Sequence, residues 1–316
     1  MQFRIVLVLV SFAFTIRAQH AYYSSLNQNL LSVNPAFAGT NGKLRAQTIT
    51  GNTGTPKYGY NKQSYYAGLD FLAGKRSGLG FSFSSGIYGK AQKEFQCDFS
   101  YALHLNIGEN LKIIPAIQLS YFQINLNRQY VPATIFNDSR IEYPYTDMDY
   151  SGSVTKRNMD FSSGLLVYGK RFYASASVLS FTQPDEGVMG VSKRPLTQIY
   201  YGKYKFLDPE KLNIDAYGFV KLQQAFGSFI QYGTYLNYKM ISIHLAHRIN
   251  DIIDYDAVVA GIAINAKGFK IGYNNRYNYA TKLSAYFFNE FYLQYAFGGN
   301  KKSEGETEDN TLKLMD

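Results

Sequence analysis

The chain has 316 residues, with 29 Tyr, 23 Phe and 27 Gly against 8 Pro, one Cys and no Trp. Aromatic residues fit a pleated surface and Gly serves its bends, so this balance favours strands, while a single Cys excludes an internal disulfide framework. The formal charge of +9 is spread through turns and strand ends without a five-residue basic run, which argues against nucleic acid as a partner.

Met1 to Gln19 places Arg4 before an apolar run, Ile5 to Ile16, with small Ala18 ahead of Gln19. This has the form of a secretory signal peptide over residues 1–18, too short for a spanning helix. A leader follows over residues 19–42. Within it Ser24 to Val33 offers a Ser N-cap and Leu26, Leu30 and Val33 at helical spacing, stopped by Asn34-Pro35, so one or two helical turns are expected.

From residue 43 to 298 the pattern has period two. Strands are expected near 43–50, 63–73, 78–88, 93–106, 111–126, 158–169, 171–181, 195–206, 212–224, 227–238, 240–249, 256–266, 268–279 and 286–298. No later segment reaches 18 consecutive apolar residues, so if the mature chain crosses a membrane it does so as a closed barrel. The connections alternate as that requires. Gly74 to Ser77, Ile107 to Asn110, Gly169-Lys170, Leu207 to Lys211, Lys239 and Lys267 are short, whereas Gly51 to Lys62, Asn127 to Arg157, Thr182 to Arg194 and Asn250 to Tyr255 fall in the other class. The expected fold is all-β: a transmembrane antiparallel β-barrel of about 14 strands. A soluble β-sandwich also alternates, but its strands are shorter and it gives no reason for short and long connections to take turns.

In Glu94 to Asn106, "EFQCDFSYALHLN", odd positions are apolar. Phe95, Phe99, Tyr101, Leu103 and Leu105 are then expected to face lipid, and Asp98, His104 and Asn106 a polar lumen. Cys97 has the apolar parity and reads as an inert small hydrophobe. His244 shares the lumen parity, and His247 the other. Lone lumen histidines are usually hydrogen-bonded to neighbours, and a metal or acid–base role for His104 and His244 is the rarer reading. Tyr65-Tyr66, Tyr200-Tyr201 and Phe287-Phe288 are expected to form interfacial girdles.

The loop from Asn127 to Arg157 mixes Tyr130, Tyr143, Tyr145 and Tyr150 with Asp138, Glu142, Asp147 and Asp149, a composition suited either to binding a protein or glycan surface or to a lid over the lumen. Residues 299–316 form a charged tail on the periplasmic side, polar enough to stay unfolded or to dock as a strand. No catalytic motif, phosphate loop, or metal-ligand pairing of Cys or His is found, so no enzyme activity, cofactor or metal is expected.

The run Asn34-Pro35-Ala36-Phe37-Ala38-Gly39 resembles the Asn-Pro-Ala-Tyr-Ala-Gly signature of the PorP/SprF family of outer-membrane proteins, with Phe for the usual Tyr. Further matches follow in the family's order: Ser77 to Gly80, Met159 to Tyr168, Gln183 to Glu186 and Asn289 to Phe297. The chain departs from the family near the first strand, where an Arg and a Gln-Trp are usual and Thr48 to Asn52 stands here, and in continuing past its last aromatic strand. The resemblance implies an outer-membrane accessory of type IX secretion and gliding motility. Its partners would be outer-membrane lipid and either type IX secretion components or the C-terminal domain of a secreted adhesin. The alternative is a transport channel for a small or hydrophobic solute.

Fourteen strands enclose more room than side chains fill in an eight-stranded barrel. Two placements follow for Leu26 to Gly39: a partial plug in the periplasmic mouth, with Gly39 turning the chain into the wall, or a leader packed beneath the barrel or disordered.

Overall fold

The structure is a computed structural model describing residues 23–24, 26–55, 60–108, 110–127, 129, 152–187, 192–207, 212–223, 228–250, 256–279 and 286–297. The signal peptide, the tail, and the loop residues Tyr130, Asp138, Glu142, Tyr143, Tyr145, Asp147, Asp149 and Tyr150 lie outside these described residues.

The strands are β1 (Arg45–Thr55), β2 (Tyr60–Ala73), β3 (Ser77–Tyr88), β4 (Gln92–Leu103), β5 (Leu105–Ile107), β6 (Leu111–Asn127), β7 (Ser153–Tyr168), β8 (Phe172–Leu179), β9 (Thr197–Leu207), β10 (Leu212–Gln223), β11 (Phe229–Tyr238), β12 (Ile241–Asn250), β13 (Ala257–Ala266), β14 (Phe269–Asn278) and β15 (Tyr286–Ala296). β5 continues β4 past His104, and both pair with β6, so the wall has fourteen strands. Each is antiparallel to its neighbours, and β15 closes onto β1 from Arg45↔Ala296 to Gly54↔Phe287. Closure leaves no free edge, the condition for a sheet in lipid.

Side-chain alternation sorts the residues as the parity predicts. Ile117, Phe161, Ile271 and Phe291 point outward and are 54–65% exposed, while Ser82, Ser100, Gln118, Asn274 and Gln294 are buried inside. Among the described residues no helix is long and apolar enough to cross a membrane. At one end of the barrel, the short-turn end, every connection is short; the long connections all lie at the other, the long-loop end, together with the three-residue turn between Tyr88 and Gln92.

Three expectations are corrected. β1 extends to Thr55 rather than residue 50, and β7 begins at Ser153 rather than 158, because residues of low strand propensity, Gly51, Asn52 and Gly54 in β1 and Lys156 in β7, are held by register partners on adjacent strands. The aromatic doublets do not form girdles as pairs. Adjacent side chains point to opposite faces, so Tyr65 and Tyr200 face outward while Tyr66, Tyr201 and Phe288 are buried in the lumen. The third concerns the leader, which occupies more than a mouth.

Candidate functional site

Tyr23, Ser24 and residues 26–40 lie inside the wall, almost all of them buried. The leader forms a 3₁₀ turn at Leu26–Gln28, one α-helical turn, α1 (Leu30–Val33), and a second 3₁₀ turn at Pro35–Phe37. Ser24 caps nothing; its N–H donates to the Glu290 carboxylate of β15. Leu26, Leu30, Leu31, Val33, Ala36, Phe37 and Ala38 are each at most 2% exposed. At about 1.5–3 kcal/mol for each large apolar side chain, their burial against the wall is the main force holding the leader.

The signature residues are seated by polar contacts on two sides. Asn34 Oδ1 accepts the Ala36 N–H at 2.8 Å, capping the turn that Pro35 begins. Its Nδ2 donates to the carbonyls of Leu165 on β7 (3.2 Å) and Ala176 on β8 (2.9 Å). The approach exists because position 164 is Gly: a Cβ there would lie 1.8 Å from Asn34 Oδ1. Across the lumen, a Cβ on Gly78 would lie 2.1 Å from the Ala38 carbonyl oxygen. That oxygen accepts from His104 Nε2 at 2.9 Å, at the break between β4 and β5. Gly39, at φ +72°, donates its N–H to Asp70 Oδ2 at 3.0 Å. Asp70 is also bound twice by Arg45, Nε to Oδ1 at 2.8 Å and Nη2 to Oδ2 at 3.1 Å. This ion pair pins the point where the leader enters β1.

Phe37 sits edge-on to Tyr173, with ring centroids 5.5 Å apart, and 6.3 Å from Tyr201. Both tyrosine hydroxyls donate to Asn27 Oδ1. Beyond them Tyr217 accepts from Gln231 at 2.6 Å and bonds His244 Nε2 at 2.8 Å, while the His244 ring stacks on Tyr235 at 4.3 Å. Near the long-loop end Gln231 donates to the Ser24 carbonyl at 3.3 Å and Arg248 to that of Tyr23 at 3.5 Å. The leader therefore runs from the short-turn end at Gly39 to the upper lumen at Tyr23.

Asp98, His104 and His244 all point inward, but the structure does not bring them together. His104 touches the leader; His244 belongs to the tyrosine cluster. Asp98 accepts from Ser82 (3.0 Å) and Gln96 (2.7 Å) beside a cavity lined by Tyr66, Ser32, Gln118, Asp160 and Arg194. That cavity measures about 50 Å³, and one above it, toward the long loops, about 40 Å³. Each holds a few waters at most. Arg194 lies between them, its guanidinium 4.3 Å over the Phe122 ring and donating to Gln96 at 2.9 Å.

Among the described residues no cluster of three or more His, Cys, Asp or Glu could hold a metal. The residues that sequence reasoning missed are Arg45, Asp70, Gln231, Arg248 and Glu290. All are charged or amide groups on the inward parity of long strands, and that was their only signal.

Two measurements probe this arrangement. Gly164→Ala should lower stability by about 1–3 kcal/mol, the usual cost of forcing a methyl into filled space. The check is a lower urea midpoint in detergent, with Gly218→Ala as the control, since a Cβ at Gly218 meets nothing within 4 Å. At the long-loop end, Lys156 on β7 and the N–H groups of Ser192 and Gly187 hold the Asp185 carboxyl down from 3.8 to about 2. A depressed carboxyl stabilises the loop above its ordinary range, and that contribution fades as pH falls toward 2. Trypsin should therefore cut after Lys193 slowly in Asp185 protein at pH 7 and faster in Asp185→Asn; the protection factors of the native loop amides against hydrogen exchange should fall between pH 4 and 2. Equal cutting of both proteins would refute the latch.

A family model described as type IX secretion system membrane protein PorP/SprF matches residues 15–297. No curated protein sequence matches significantly. Among solved structures, the toluene transporter TbuX of Ralstonia pickettii aligns with a TM-score of 0.51 at 11% identity, over 86% of this chain and 94% of that one. The CymD monoaromatic hydrocarbon channel aligns with a TM-score of 0.52 at 9% identity, over 87% and 94%. At these identities the likeness is one of fold: an outer-membrane barrel.

Proposed function

From the premise that the chain belongs to the PorP/SprF family of type IX secretion system membrane proteins, we propose that it is a sealed outer-membrane receptor. Its barrel holds a secreted adhesin's C-terminal domain at the long-loop end. The observation that carries this reading is the occupied lumen: the described leader residues between Gly39 and Tyr23 are almost all buried inside the barrel, and the cavities of about 50 and 40 Å³ beside them hold a few waters each. A barrel without a passage works by what it binds. Signal-peptide export would place the long loops outside the cell, within reach of exported proteins.

The test is affinity capture from cells. Asn127 and Ser153 are register partners, so residues 128–152 can be replaced by a two-residue turn without moving the wall. Capture of a secreted surface protein by the intact chain, lost in this variant, supports retention. Capture of periplasmic export components by both forms points instead to a link between that machinery and the membrane.

Transport is the second reading. Its support is the aromatic lining beneath the leader, Tyr173, Tyr201, Tyr217, Phe219 and Tyr235, together with the fold shared with TbuX and CymD, which are a toluene transporter and a monoaromatic hydrocarbon channel. It requires the leader to move aside. Uptake of an aromatic solute by liposomes bearing the intact chain would favour it over the receptor.

A further inference from the structure

The outward face of β1 breaks the apolar pattern of the wall. Its outward residues are Ala46, Thr48, Thr50 and Asn52, with the last three exposed. Large apolar neighbours flank this furrow: Tyr65 and Leu69 on β2, Phe291 and Leu293 on β15. At the seam where the first and last strands meet, β1 therefore matches neither ridge.

A row of amides crosses the same seam. Register sets Gln63 opposite Asn52, Asn52 opposite Asn289, and Asn289 opposite Asn275, on four adjacent strands. Asn275 Nδ2 donates to Asn289 Oδ1 at 2.8 Å, and Tyr273 donates to the same oxygen at 2.6 Å. Gln63 accepts from Tyr65 at 3.2 Å. The Asn52 side chain makes no hydrogen bond among the described residues. Asn52 stands seven positions beyond Arg45, which with the rise and tilt of barrel strands is about 18 Å from the short-turn end, inside an apolar band about 25 Å tall. On β14, Tyr277 lies nearer the long-loop end than Asn275, so the row sits below that strand's outer aromatic residue. An amide without a partner in hydrocarbon is costly, and small residues with polar side chains are what membrane-embedded interfaces use.

We propose that this seam is a dimer interface for a second copy of the chain, related by a two-fold axis along the membrane normal. Such an axis preserves depth, so Asn52 placed at the axis meets its own copy, while the two rows, inclined because the strands are tilted, cross at that point. An amide both donates and accepts, which makes the row self-complementary, as an isologous contact demands. A different membrane protein would need a matching polar group at the same depth by coincidence. The Tyr65–Leu69 and Phe291–Leu293 ridges of one copy would lie against the Ala46–Thr50 furrow of the other.

The decisive experiment is cysteine cross-linking in native outer membranes. Asn52→Cys in a Cys97→Ser background should give a disulfide-linked homodimer under mild oxidation. Tyr200→Cys, outward on β9 at matched depth and seven strands away, should stay monomeric. In detergent, Asn52→Leu combined with Asn289→Leu should weaken the dimer on the order of tenfold, as loss of several modest intramembrane hydrogen bonds would. The proposal is overturned if Asn52→Cys stays monomeric, if it links to a different protein, or if both cysteine variants dimerise equally.

Discussion

Deletion of residues 20–39 converts a barrel that shows no steady current in planar bilayers into one with discrete, long-lived conductance steps. The expectation rests on how much of the lumen the leader occupies. Fourteen strands leave a bore wider than the side chains of an eight-stranded barrel can fill. Here that space is taken by seven apolar leader residues and by the tyrosines they pack on. With the leader gone, Gly78, Gly80 and Gly164 line the vacated side and present no side chain to refill it. Assembly of the deletion variant is checked separately, by the heat-dependent gel mobility of folded barrels. If that mobility is normal and conductance is unchanged, the leader does not seal the pore, and the receptor reading loses the observation it stands on.

Arg45→Met should be the most damaging single substitution in the wall, at about 3–5 kcal/mol. Arg45 and Asp70 are 1% and 0% exposed as side chains. Removing one partner leaves a buried carboxylate without its counter-ion, which is far more costly than removing both. Arg45→Met with Asp70→Leu should therefore recover most of the loss, although the Gly39 N–H then lacks its acceptor. Urea unfolding in detergent measures both. A loss under about 1 kcal/mol for Arg45→Met would show that water reaches the pair, as it does for surface ion pairs.

The wall was legible because its code is local. Parity alone assigns Phe95, Phe99 and Tyr101 to the outside and Asp98, Ser100 and His104 to the inside, and turn residues mark where strands stop. The interior was not legible, because its contacts join positions far apart in the chain: Asn34 with Leu165 and Ala176, Ser24 with Glu290. Parity puts a side chain in the lumen without choosing its partner. The scattered motif residues are a partial exception. Gly78, Gly164 and the Asn34 to Gly39 run look unrelated along the sequence, yet they form one socket. Strand ends failed where pairing overrode propensity, as at Gly51 to Thr55, and the aromatic doublets failed because neighbouring side chains face opposite ways.

The continuity of leader and wall at Arg45 also bears on the order of biogenesis. If the segment before β1 is already inside when β15 zips onto β1, the last strand shuts the vessel around its own stopper. Threading it afterwards would drag Leu30, Leu31 and Phe37 through a narrow, wet bore. Insertion that stalls before β15 should thus leave the stopper protease-sensitive, and the final hairpin is the step that commits the molecule to its finished form.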